Sequence, residues 1–235
     1  MKILKYLTGK IYKPLLSKYL SKPRIYKYKN IRLIIPTSVF HPGFFFSTKI
    51  LLKYISHLDV QQKSFLELGA GSGLISIYVA RKTAKVTATD INPIAIEYLK
   101  KNQILNNVQL NIILSDLFQS IPQQSFDIIA INPPYYKKNP ASYAEYAWYG
   151  GENGKYFQKL FSSLKNYIHR ESLVLMILSE DCDILMITRF ALDNHLYLRI
   201  ISETKTVWEK NNIYQIKPEG FDFGKRLPTV PKKQP

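Results

Sequence analysis

The sequence predicts an α/β fold, a Rossmann-like doubly wound sheet of seven mostly parallel strands. Three observations carry that prediction. Short apolar runs of strand length alternate with amphipathic runs of helix length from residue 44 to residue 194. The stretch Phe65 to Gly73, FLELGAGSG, joins an apolar strand to a helix through a turn that holds three of the chain's ten glycines. Distinctive polar residues then close the next apolar runs, at the strand ends where such sheets hold their ligands.

Taken in order, Ile3, Leu4, Leu7, Ile11 and Leu15 fall at helical spacing between lysines. Residues 1–30 are therefore expected to form a basic amphipathic N-terminal extension. Residues 31–217 are expected to form the globular domain, and residues 218–235, with four prolines in 18 residues, an extended Pro/Lys-rich tail. Ile31 to Ile35 reads as a strand closed by Pro36. A helix follows from the Phe44-Phe45-Phe46 run to Ile55, with Ser47 as its N-cap. Strand 65–68 leads into a helix from about 73 to 82, and strand 86–90 into a helix that starts with Pro93 at its first turn. Strands 108–114 and 126–131 come next, then a polar aromatic stretch to Gly154 and a helix from about 155 to 168. Strand 173–178, helix 184 to about 194, and two strands near 196–204 and 213–216 that pair as a hairpin complete the pattern.

Composition narrows the function classes. One cysteine, Cys182, excludes an intramolecular disulfide and a cysteine-based zinc site, and the four histidines have no metal-ligand spacing. No apolar run reaches the roughly 20 residues of a spanning helix. Lysines interrupt the N-terminal apolar residues too often for a secretory leader, so a cytoplasmic setting is expected. The formal charge of +16 is concentrated at the ends: residues 1–30 carry nine Lys or Arg and no acid, whereas residues 31–216 carry 19 basic against 15 acidic. A basic N-terminus of this kind suits RNA, the ribosome or a membrane surface.

Four chemical pieces fall at consecutive strand ends. Glu67, Gly69, Gly71 and Gly73 form the first, in GxGxG spacing, with Leu74 where a dinucleotide fingerprint needs its last glycine. Beside a pyrophosphate Glu67 would repel; beside a sulfonium ligand with an ammonium group it attracts. The loop therefore favours S-adenosylmethionine over NAD. Asp90, with Ile91 after it, stands where an acid can take a ribose's two hydroxyls. Asp116 can accept from an adenine amine while Leu117 offers its backbone. Asn132-Pro133-Pro134-Tyr135 closes the fourth run. Its prolines fix the backbone so that the Asn132 side-chain carbonyl and the Pro133 main-chain carbonyl converge on one planar NH₂ group, against which Tyr135 packs. Two fixed acceptors help such a nitrogen pyramidalise as it attacks a methyl carbon.

With ELGAGSG, TDINP and NPPY, the chain resembles class I S-adenosylmethionine-dependent methyltransferases, and among them the HemK-type family, which methylates the side-chain amide of glutamine in release factors. The resemblance runs from about Val39 to Lys217. It includes Trp148 and the GGxNG stretch Gly150-Gly151-Glu152-Asn153-Gly154. It implies a protein partner that presents a glutamine, with an exocyclic amine of adenine or guanine in RNA or DNA as the alternative acceptor. Family members often carry an acidic residue just before the threonine that precedes the first helix of the domain. Here Ser47 stands before Thr48.

Overall fold

The computed structural model describes residues 22–43, 46–134, 136–206 and 210–220. The expected N-terminal amphipathic helix, the tail beyond residue 220 and Tyr135 lie outside the described residues. Seven strands form the central sheet: β3 (Ser64–Leu68), β4 (Lys85–Asp90), β5 (Asn111–Leu114), β6 (Phe126–Ile131), β7 (Ile168–Ser179), β8 (Leu196–Lys205) and β9 (Lys210–Pro218). Their order is β5-β4-β3-β6-β7-β9-β8, and β9 alone among them runs against the direction of the other six. The predicted fold class is the observed one, including the final hairpin.

Both faces of the sheet are covered, which is why its strands read as continuous apolar runs. Phe65, Ala88, Ile128 and Leu175 face α1 (Phe46–Ile55), α2 (Leu74–Ala80) and α3 (Pro93–Leu105), which contribute Leu51, Leu52, Ile77 and Leu99. Their immediate neighbours Leu66, Ile129 and Val174 face the other way. There they meet Phe157, Leu160 and Phe161 of α4 (Lys155–Leu164) and Ile187 and Ala191 of α5 (Ile184–Asp193). Each of the larger of these buried side chains contributes roughly 1.5–3 kcal/mol. No helix among the described residues is long and apolar enough to cross a membrane.

Strand β5 starts three residues later than the expected 108, and β9 is longer than the expected 213–216; two further elements differ more from the sequence reading. Arg24–Tyr28, assigned to the extension, is a strand, β1, paired antiparallel with β2 (Ile31–Ile35) in a separate two-stranded sheet. The far side of β2 is held by side chains: Asn102 and Asn106 each exchange two hydrogen bonds with the main chain, at Ile34 and Arg32 respectively. Strand β7 begins at Ile168, five residues before its apolar run, because Ile168 pairs with Phe126 at the start of β6.

The order reverses beside β3. From β5 the chain crosses back over β4 and β3 to enter β6, so a crevice opens outside the carboxyl ends of β3 and β6. The glycine loop and Asn132 follow those two strands.

Candidate active site

A cavity of about 410 Å³ occupies the crevice. Its floor is the loop after β3, where Gly69 and Gly71 line the wall with positive φ. The loop is held from below: Ala70 donates its N–H to the Thr89 carbonyl at 2.7 Å, and Gly71 donates to Asp90 Oδ2 at 2.8 Å. Asp90 Oδ1 accepts from the Asn92 N–H at 2.9 Å. With main-chain donors on three of its roughly four lone-pair sites, the carboxylate keeps some acceptor capacity, and Asp90 and Ile91 both line the cavity. Burial pushes the Asp90 carboxyl above its ordinary pKa, against the hydrogen bonds from Asn92, Gly71 and Ile91.

Gly73 is not on the wall. It stands at the N-cap of α2 with φ of 85°, and a Cβ there would lie 2.2 Å from Leu99 Cδ1. Its lack of a side chain lets the start of α2 pack against α3, a steric role that the sequence alone does not announce.

Glu67 also faces the cavity, and it is buried. The Ser76 N–H donates to its Oε2 at 2.8 Å, and the Ser76 hydroxyl donates to the same oxygen. Burial, with the neighbouring Asp90 adding to the effect, pushes its pKa up to about 8 despite those two donors. A cation brought beside Glu67 would favour its ionised form.

Asp116 and Leu117 line the cavity after β5, in a turn tied by the Ser115 hydroxyl, which donates to the Leu117 carbonyl at 2.8 Å. Asp116 Oδ2 is ion-paired with Lys159 of α4, 43 residues on, a partner that no local pattern announces. Tyr156 shares this part of the wall. Burial pushes its phenol well above the ordinary value, with Asp116 and Asp90 adding to the effect, so it stays a neutral donor.

On the opposite side, Asn132 and Pro133 reach the cavity from the end of β6. The Asn132 side-chain Nδ2 donates to Ser47 Oγ at 3.2 Å and to Thr48 Oγ1 at 3.1 Å, both in the first turn of α1. Ser47 is thus inside the helix, and its hydroxyl serves Asn132. With both amide hydrogens taken, the Asn132 carbonyl is the group left to face a ligand.

An aromatic wall completes the mouth. The Phe40 and Trp148 rings lie 5.1 Å apart at 53°, and the exposed Tyr143 and Tyr146 stand beside them on the cavity's rim. The chain carrying these rings is strapped to the loop after β6: Tyr136 donates its N–H to the Trp148 carbonyl, Gly150 to the Tyr136 carbonyl and Gly151 to the Lys138 carbonyl, at 3.0–3.1 Å. A Cβ on Gly150 would lie 2.8 Å from the Pro134 carbonyl oxygen. The GGxNG stretch is therefore a close-packed support for the Asn132-Pro133-Pro134 loop. Sequence reading located it through the resemblance but missed the tyrosines of the rim and the hydroxyl pair of α1.

Comparison with known proteins agrees with this fold. Residues 32–147 match the family model described as the methyltransferase small domain. A relative from Methanocaldococcus jannaschii that carries the provisional name protein N5-glutamine methyltransferase is 35% identical over 161 residues, 66% of this chain and 79% of that one. The release factor glutamine methyltransferase of Fusobacterium nucleatum is 40% identical over 98 residues, 39% of this chain but only 28% of the relative's length. Among solved structures, the E. cuniculi Mtq2–Trm112 complex, described as methylating the eRF1 termination factor, has a TM-score of 0.61 at 21% identity. That match covers 77% of this chain and 99% of the other, and at this identity it speaks to the fold.

Proposed function

The chain belongs to the HemK-type S-adenosylmethionine-dependent methyltransferases, and from that premise we propose that it methylates the side-chain amide nitrogen of a glutamine in a translation factor. The observation that carries the proposal is the Asn132 amide, held by Ser47 and Thr48 with its carbonyl left for the ligand. The names of the M. jannaschii and F. nucleatum relatives support the acceptor.

The cavity fits the cofactor. Asp90 would face the ribose hydroxyls with its remaining acceptor capacity, Asp116 and Leu117 would meet the adenine, and Glu67 would face the methionine ammonium. When bound, S-adenosylmethionine supplies an electrophilic methyl group on a sulfonium. This chain's residues do the rest. A glutamine amide nitrogen is a weak nucleophile because its lone pair is delocalised into the carbonyl. Asn132 Oδ1 and the Pro133 carbonyl accept its two N–H groups and thereby favour the pyramidal nitrogen of the transition state. The Phe40 and Trp148 rings line the cavity and offer apolar surface on which a bound acceptor would pack.

Labelled methyl transfer into a cell lysate tests the acceptor class. Label is expected on material destroyed by protease and resistant to RNase. Label released by RNase would move the acceptor to a base amine.

A further inference from the structure

Away from the cavity, the outer face of the β1–β2 hairpin carries a charge arrangement that the methyl-transfer chemistry does not use. The first 58 residues of the chain contain twelve Lys or Arg and no Asp or Glu. In the hairpin register Lys27 stands directly opposite Arg32, and both side chains are exposed. Like charges placed directly across an antiparallel pair destabilise it. No ion pair among the described residues engages either of them. Lys29 is exposed at the tip, 5.8 Å from the Tyr28 ring centre, and Arg81 reaches the same tip by donating to the Asn30 carbonyl at 3.0 Å. The charges sit on a rigid platform, because Asn102 and Asn106 hold the far side of β2 and Ile31, Leu33 and Ile35 are buried in the core.

We propose that this face docks the phosphate backbone of RNA, independently of base sequence. A fixed row of unneutralised cations is what an anionic polymer neutralises with release of its counterions. A membrane surface would want several apolar side chains among the cations, and Ile25 is the one large apolar side chain exposed on the hairpin. The surface is also remote from the cavity. Arg32 is held by Asn106 at the C-terminal end of α3, whereas the cavity takes Asn92 and Ala95 from the start of that helix. RNA lying on the outer face is therefore separate from the acceptor assigned above.

Anisotropy of a fluorescein-labelled, mixed-sequence single-stranded RNA of about twenty nucleotides, titrated with the full chain between about 50 and 200 mM KCl, tests the assignment. Replacing Lys27 and Arg32 together by glutamate is expected to weaken binding at least about tenfold and to reduce the log–log salt slope by about 1.4, two contacts at roughly 0.7 each. Lys27→Glu alone places opposite charges across the pair, so its melting midpoint is expected to hold or rise while RNA binding falls. S-adenosylhomocysteine binding, measured in parallel, is expected to be unchanged in both variants. RNA affinity and slope unchanged in the double variant would overturn the proposal. So would binding to phosphatidylserine vesicles, in preference to RNA, that the same substitutions abolish.

Discussion

Asn132→Ala is expected to lower turnover by at least about a hundredfold, the scale of removing one transition-state hydrogen-bonding group. The affinity for S-adenosylmethionine is expected to stay within a factor of a few. The split follows from the geometry. The Asn132 carbonyl is the acceptor left over once Ser47 and Thr48 have taken the amide hydrogens, whereas the polar groups expected to hold the cofactor come from the loops after β3, β4 and β5. Steady-state methyl transfer gives the first quantity and calorimetry the second. Unchanged turnover with lost cofactor affinity would make Asn132 a structural residue and refute its assignment as an acceptor.

Gly150→Ala is expected to have the second largest effect, a fall in turnover on the order of a hundredfold from a shift of up to about an ångström at the reacting centre. The added methyl would stand 2.8 Å from the Pro134 carbonyl oxygen, a main-chain atom that cannot rotate away. Either the strap from Trp148 to Gly151 lifts or the Asn132-Pro133-Pro134 loop is pushed toward the cavity. The substitution introduces no charge and lies outside the sheet, so cofactor binding is expected to survive. Turnover within twofold of the parent would show that the strap does not set the loop's position.

Much of the fold was legible because burial on both faces of a parallel sheet leaves a plain mark, continuous apolar strands between amphipathic helices. Strand β1 was not, since its pattern is inverted. Ile25 is 61% exposed while Arg24, Tyr26 and Tyr28 are half-buried, so hydrophobic alternation pointed the wrong way. The beginning of β7 was missed for a related reason: His169, Arg170 and Glu171 are exposed and carry no apolar signal.

In the cavity, residues at strand ends were legible because the topology of an open α/β sheet dictates where ligands lie. Contacts made across the fold were not. Thr48 meets Asn132 from 84 residues away and Lys159 meets Asp116 from 43, distances over which no spacing rule operates. Gly73 shows a third kind of contact. Its place in GxGxG suggested a ligand contact, while its environment shows a close approach of two helices.

The family's frequent acidic residue before Thr48 and this chain's Ser47 now compare on chemical grounds. A carboxylate and a hydroxyl can both accept from the Asn132 amide, so serine keeps the interaction while removing a negative charge from the cavity.

Mass spectrometry of a release factor incubated with the enzyme and S-adenosylmethionine tests the central claim most directly. One added methyl group on the side-chain nitrogen of a glutamine, absent when the Asn132→Ala variant is used, is the result this account predicts. A methyl group on any other atom of the protein, or an unmodified protein beside methylated RNA from the same cells, would contradict it.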